Sequence, residues 1–564
     1  MKRRTFLQGL AGASGAVLLG GCSSGGGAGA GGRPTVRVLS WTSLGYPSPF
    51  AYTAGPGYWR MSLLFDTLVW KDATGQFLPW LASAFVLADD GLSYDVELRP
   101  DLRWADGRPV TARDVAFTFE YYATQTFTPF LIGVPRNVAG VEETGERRLR
   151  LRMEEPDATF LQSVLGTVPI VPEHIWSQIS NPMAEMSPQA LIGTGPYRLN
   201  SRDESGDAES YVARDDYFLG APYVRRIEMV PADNPLTALA VGELDAAGAS
   251  EAGERDEVLE PFRSNDQFGV VSSDAGFGFP LFFNLRRGGA LADLRFRRAC
   301  IHALNRTDMV TRLLTGNGQV GSAGFLPPTH EFYNPDVAQY PYDPAEAERL
   351  LDEGGYRRSG PGGARTNPDG TPLRLTLNLP DVIPTALAEL TAANLRDVGI
   401  GIDLEVIDVI RLFGLKLNDN FDLAITTFPG PSGIGPNGDP EILRGVYHSL
   451  PAGQDPTPVT GNQLHKAAGY ANAEVDRLLA EQRAAYDIEE RKRLVGEIQQ
   501  IVAEEVPTIM LYTTTLFFAY RKRAFDQWYY TPGGFGPGLP DVYNKHPYIT
   551  GRQTGLAIRD VQDS

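Results

Sequence analysis

The sequence predicts an α/β protein with mixed sheets, spread over at least two lobes. Three observations predict it. The chain has 564 residues, and a single hydrophobic core stops growing at roughly 250–300 residues. Strand-like and helix-like segments alternate along the chain, the pattern of layered α/β structure. The composition, 42% hydrophobic and 21% charged residues, belongs to a folded globular protein and not to a disordered or membrane-embedded one. No segment repeats at a fixed period, which sets aside solenoids and propellers. Gly (61) and Pro (42) are abundant enough to serve many turns.

The elements follow in order. Residues 35–40 alternate apolar and polar and read as a strand, as do 93–98. Residues 148–153 place Leu149, Leu151 and Met153 on one face and arginines on the other. Thr111 followed by Asp114 is a capping box that opens a helix through Val115 and Phe119. Asp343 and Pro344 start a second helix, Glu346 completes its capping box, and Gly354-Gly355 stop it. Strands fit 373–379, 402–406 and 422–427. Asn472 and Asp487 read as N-caps of two amphipathic helices that end before Pro507.

The first residues are of another kind. Lys2, Arg3 and Arg4 precede an apolar run over 7–19, too short to cross a bilayer at about 1.5 Å per residue. It reads as the apolar core of an export leader. The paired arginines followed by Phe6 and Leu7 resemble a twin-arginine export signal. The run closes on Leu19-Gly20-Gly21-Cys22, which resembles a lipobox and implies that Cys22 becomes a lipidated first residue. Residues 23–32 are Ser, Gly and Ala only, a flexible tether reaching about 5–6 Å × √n. We therefore expect a leader over 1–22, a tether over 23–33 and a body held at a membrane surface by lipid alone.

Charge and motifs exclude several classes. The formal net charge is −18, and removing Lys2, Arg3 and Arg4 makes it −21. Such a surface repels phosphate backbones, so nucleic acid is not an expected partner. The two cysteines, Cys22 and Cys300, sit in unlike contexts. Cys300, on a helical pattern, reads as a buried free thiol. The six histidines are scattered without a His-x-x-x-His or Cys-x-x-Cys pair, so no metal or other cofactor is expected. His174 reads as part of a helix start, and Trp104 as core. The Gly-x-Ser-x-Gly spacing occurs only at Gly21–Gly25, and the Gly-x-Gly-x-x-Gly at Gly27, Gly29 and Gly32 lies in the tether with no strand before it. Neither is a nucleophile elbow or a dinucleotide loop. The chain is thus expected not to be an enzyme. A secreted hydrolase with two placed acids is the distant alternative.

Several stretches together carry a resemblance. The strongest runs from Leu98 through Trp104, Asp106-Gly107, Pro109 and Thr111-Ala112 to Asp114-Val115, preceded by Leu78-Pro79, Leu81-Ala82 and Asp90-Gly91. Further matches are Pro172-Glu173-His174, Gly193-Thr194-Gly195-Pro196-Tyr197, Gly242-Glu243-Leu244-Asp245, and Phe283-Asn284 with Asp293 and Arg298. Tyr342-Asp343-Pro344, Arg396 with Gly399-Ile400, and Asn472 with Val475-Asp476 complete the series. In this order they resemble the family 5 solute-binding proteins of ABC importers, the peptide- and nickel-type group, over about residues 35–530.

The resemblance implies a two-lobed periplasmic-binding-protein-like fold with a hinge and an extra subdomain inserted in lobe 1. We expect lobe 1 at 34–71, 189–265 and 515–564, the insert at 72–188, lobe 2 at 266–514, and hinges near Phe277 and Leu516. It implies an extracytoplasmic, lipid-anchored, monomeric receptor that takes a peptide into the cleft and passes it to ABC permease subunits served by ATPase subunits. An oligosaccharide is the alternative ligand, and a chelated metal a more distant one. Loops that face the cleft should carry the contacts, and aromatic side chains there stack on ligand faces. The expected ligand-binding residues are Trp41 and Tyr46 after the first strand, Phe277 and Phe279 at the crossing, and Phe428 and Asp439 after strand 422–427. A similar Gly-Asp-Pro in dipeptide-binding relatives implies that Asp439 meets a ligand ammonium.

Overall fold

The structure is a computed structural model that describes residues 34–40, 45–52, 54–124, 137–249, 256–274, 277–408, 421–427, 439–450, 468–531 and 545–556. Two mixed sheets dominate. The first has seven strands in the order Phe268–Ser273, Leu516–Arg521, Ala246–Ala249, Thr35–Leu39, Arg226–Val230, Glu209–Ala213 and Tyr197–Arg202. Thr35–Leu39 pairs in parallel with strands on both sides, and the flanking pairs are antiparallel. The second has six strands in the order Gly318–Val320, Thr508–Thr514, Gly278–Phe283, Leu423–Ile425, Arg374–Pro380 and Gly401–Ile407. Arg374–Pro380 runs parallel to both its neighbours, and Gly278–Phe283 antiparallel to both of its own. Every residue of Gly278–Phe283 and Thr508–Thr514 is buried, which is why Gly278–Phe283 reads as an unbroken apolar run and not as alternation.

A third sheet, Ala82–Leu87, Ser93–Leu98, Arg148–Met153 and Val138–Gly145 in that order, is wholly antiparallel. It has one dry face. Leu149, Leu151 and Met153 are buried, while Arg150 pairs with Asp95 across the strands at 2.7 Å on the wet face. The alternation expected for 148–153 is thus the alternation of a one-sided sheet. The capping box expected at Thr111 is present: the Thr111 amide donates to Asp114, which opens the helix Ala112–Ala123. Asp343, Asn472 and Asp487 accept from the first turns of Pro344–Glu353, Ala473–Ala484 and Ile488–Glu505.

The chain passes from the first sheet to the second between Ser273 and Gly278, and returns between Thr514 and Leu516. Thr514 is bound to Phe277 in both directions: its amide donates to the Phe277 carbonyl at 2.9 Å, and its hydroxyl accepts from the Phe277 amide at 3.0 Å. One boundary expected from the sequence is corrected here. Residues 266–273 do not open the second lobe. Phe268–Ser273 pairs along its whole length with Leu516–Arg521 and is the edge strand of the first sheet.

The apolar clusters divide along the same line. One joins Val36, Val38 and Ile227 of the first sheet to Tyr94, Val96 and Leu151 of the third, so the insert and the first lobe share a core. A smaller one, with Leu239 and Phe262, covers the other end of the first sheet. Two more lie wholly within 279–512. Among the described residues, no apolar cluster contains residues of both lobes. The segment 545–556 packs on the first lobe. There the Lys545 ammonium meets Asp66 at 2.5 Å with both side chains fully buried, and it also lies over the rings of Trp70 and Trp80. Breaking such a buried pair costs about 3–5 kcal/mol, so the last segment is tightly tied.

Gly193 and Gly195 show why that motif tolerates no side chain. A Cβ at Gly193 would stand 2.1 Å from the Leu64 carbonyl oxygen, and one at Gly195 2.4 Å from the Leu64 carbonyl carbon. The cause is close backbone approach to the end of the helix Ala54–Leu64, sealed by the Gly195 amide donating to Leu64 at 2.8 Å.

Candidate functional site

The site begins at the sheet ends near the two crossings. On the first lobe, residues 45–52 follow the central strand Thr35–Leu39, and their position is set by buried charge. The Arg60 guanidinium, fully buried, donates to Glu209 at 2.7 Å and to the Gly45 carbonyl at 3.0 Å. Arg202 donates to the same Glu209 at 3.0 Å and lies over the Tyr46 ring at 5.8 Å. The Tyr46 hydroxyl donates to the Ser187 carbonyl at 3.2 Å, and its amide to Ala51 at 3.0 Å. Tyr46 is half-buried. Sequence reasoning missed this anchor. A signal was present, since Arg60 is a lone charge in the apolar run from Tyr58 to Phe65, and a charge on a buried helix face needs a partner.

On the second lobe, Thr426 extends the strand Leu423–Ile425, its amide donating to Pro280 at 3.2 Å. Thr513 stands opposite Gly278. The hydroxyls of Thr426 and Thr513 are both buried and find no hydrogen-bond partner. Phe277 is half-buried at the crossing and packs against the second-lobe core. Phe279 is 5% exposed and packs on Tyr512 at a ring separation of 4.9 Å, within the second-lobe apolar cluster. Alternation on Gly278–Phe283 predicted neither, because both faces of that strand are covered.

Asp439 has a partner within its own lobe. Arg491 holds both of its carboxylate oxygens, at 2.6 and 2.9 Å, with the two side chains 10% and 7% exposed. One of these oxygens also accepts from the Glu441 amide at 2.8 Å, at the turn that leads into Ile442–Tyr447. The carboxylate expected to meet an ammonium is therefore engaged by a bidentate guanidinium, the strongest of the common side-chain pairings. Across from it, burial pushes the Lys71 ammonium down to about 8, against the attraction of Asp439. Lys71 donates to Gln162 at 2.8 Å and sits 4.6 Å from the centre of the Phe77 ring. Glu441 is pushed up to about 7 by burial, which outweighs Arg444 and Arg483, and Asp439 and Asp157 add to the rise.

Trp41, Phe428 and Cys22 lie outside the described residues. Cys300 is fully buried, and burial pushes its thiol well up, so it is no nucleophile. His174 binds Asp106 at 2.8 Å beside the Asp106-Gly107 turn, a structural contact. Trp104 is completely buried.

Comparison with known proteins agrees with this architecture. Di/tripeptide-binding protein 1 of Pseudomonas aeruginosa is 25% identical over 520 residues, covering 86% of this chain and 91% of the relative. The periplasmic oligopeptide-binding protein of an oligopeptide ABC transporter from Thermotoga maritima superposes with a TM-score of 0.76 at 23% identity, covering 92% and 98% of the two chains. NikA from Brucella suis, solved with Fe(III)-EDTA, does so at 0.75 and 23%, covering 90% and 99%. These structures share the two-lobed fold of this chain. The family described as "Bacterial extracellular solute-binding proteins, family 5 Middle" matches residues 76–448, about two thirds of the sequence. The chain belongs to the family 5 bacterial extracellular solute-binding proteins.

Proposed function

We propose that this protein is a receptor that captures a peptide between its two lobes and delivers it to an ABC permease, without chemical conversion. The observation that carries the peptide reading is the di/tripeptide-binding relative aligned over 86% of the chain. The geometry suits it. A peptide buried in a closed cleft must place each backbone N–H and C=O against a partner. Strand ends and the partnerless hydroxyls of Thr426 and Thr513 offer such partners. Tyr46 and Phe277, with Trp41 and Phe428, supply the apolar contacts. Residues 34–71, 189–274 and 515–564 with the insert would move as one body, and 277–514 as the other. Cys22 would carry the lipid that keeps the receptor at the outer surface of the membrane, as a monomer.

The test is mass spectrometry of solute released on denaturing the purified protein, followed by calorimetry with a synthetic copy of what is found. Peptides of a few residues are expected. Release of an oligosaccharide or a chelated metal, with no heat from a tripeptide pool, would overturn the peptide reading.

A further inference from the structure

The two lobes meet at a second place that shares no residue with the crossings. Arg483, on the second-lobe helix Ala473–Ala484, donates to Asp157 at 2.6 Å and to Glu155 at 3.2 Å, both just beyond the third-sheet strand Arg148–Met153. The Arg483 carbonyl accepts from the Ala158 amide at 2.7 Å. Three residues on, the Tyr486 hydroxyl donates to the Gly91 carbonyl at 2.8 Å and accepts from the Asp157 amide at 3.1 Å. The Tyr486 ring lies so close to Gly91 that a Cβ there would stand 3.1 Å from it.

The receiving side is built to take these groups. Asp157 is 2% exposed, and its remaining acceptor capacity is used by Thr159 and Asn137. Burial acts to raise its pKa, but Arg483 and the Thr159 contacts outweigh it and hold the carboxyl below its usual range. Asp157 is thus ionised and dependent on Arg483 for its countercharge.

The bodies that these contacts join have separate cores. Gly91 and Asp157 belong to the insert, whose Tyr94, Leu151 and Phe160 pack with Val36 of the first sheet. Arg483 and Tyr486 belong to the helical pair whose Leu478, Leu479 and Leu494 pack with Phe282 and Met510 of the second. No described apolar cluster spans the two, so the contact is polar and can rehydrate when broken. A polar contact between separately folded bodies, added to two crossing strands, biases them toward one arrangement without welding them.

We propose that Arg483 and Tyr486 form a latch on the insert that holds the lobes together before any solute is bound. The latch acts through the two bodies alone and holds whatever the solute is, so it goes beyond the peptide reading and does not rest on it. In the open state Asp157 and Arg483 are hydrated separately. In the closed state without Arg483, Asp157 is left buried and unpaired, which disfavours closure.

The experiment uses the full chain carrying Cys22→Ser, with spin labels at Val86→Cys and Val406→Cys. These positions are 62% and 47% exposed, on the insert and on the second sheet. Bound solute is removed by reversible unfolding, and inter-label distances are read by pulsed dipolar spectroscopy. The parent should show the short distance in the absence of solute. Arg483→Gln with Tyr486→Phe should populate a longer one, its closed-to-open ratio falling about a hundredfold. Tyr486→Phe alone, which removes only a hydroxyl from a 40% exposed side chain, should shift the ratio a few-fold and guards against misfolding of the double variant. A parent that is already open without solute, or a cooperatively folded double variant that keeps the short distance, would overturn the proposal.

Discussion

Asp439→Asn separates a strut from a ligand contact. Asp439 and Arg491 are nearly buried and joined by two charge-assisted bonds. At an effective dielectric of about 20, unit charges at about 4 Å attract by roughly 4 kcal/mol. Removing one partner of a buried pair costs about 3–5 kcal/mol. Asparagine keeps one carbonyl oxygen, and it preserves the acceptor for the Glu441 amide at 2.8 Å because Asn caps as well as Asp. The expected loss is therefore smaller, about 2–3 kcal/mol, borne by Arg491. At about 2–4 °C per kcal/mol for a lobe of this size, melting should fall by roughly 5–10 °C. Calorimetry of the folded variant with a tripeptide pool should find the affinity within about twofold of the parent. Arg491→Met should reproduce the destabilisation, and the double variant should regain part of it, since the two charges depend on one another. An unchanged melting temperature with affinity lowered about thirtyfold or more would refute the strut and restore the ammonium contact.

Glu441 predicts a pH dependence. Its folded pKa, about 7, lies above the unfolded value near 4.3. The stability it contributes is therefore full below about pH 4 and is lost as pH rises through 7. Between pH 5 and pH 8 the parent should lose up to about 3 kcal/mol relative to Glu441→Gln in urea unfolding, and parallel curves would remove the buried-glutamate account. For the leader, Cys22→Ala should yield unlipidated protein in the soluble fraction after cell lysis. A variant still labelled by radioactive lipid and sedimenting with membranes would exclude Cys22 as the anchor.

How much of this was legible depends on the range of the forces involved. Local elements were readable because their causes lie within a few residues. Thr111 with Asp114, Asp343 with Pro344, and Asp487 before an amphipathic run each satisfy amides of their own first turn. The strands 93–98 and 148–153 were readable because a sheet wet on one face must alternate. Buried strands wrote a weaker code. On Gly278–Phe283 every position is apolar and covered, so nothing in the run distinguishes Phe279 in the core from a residue facing the cleft.

The site was less legible than the fold. Arg60 went unread although its neighbours are apolar, because its partner Glu209 lies 149 positions away. Arg491 and Arg483 sit among the charged residues of exposed-looking helices, and nothing local marks them as buried partners of Asp439 and Asp157, 52 and 326 positions away. By itself, then, the sequence determined the class of fold, the order and caps of many of its elements and the family motifs. These depend on short-range geometry and apolar periodicity. Only the tertiary structure decided that Phe268–Ser273 closes the first sheet, that Asp439 answers Arg491, and that the insert meets the second lobe through Arg483. Pairing between distant strands and countercharges is chosen when the chain collapses and each buried charge must find whichever partner the packing brings within reach.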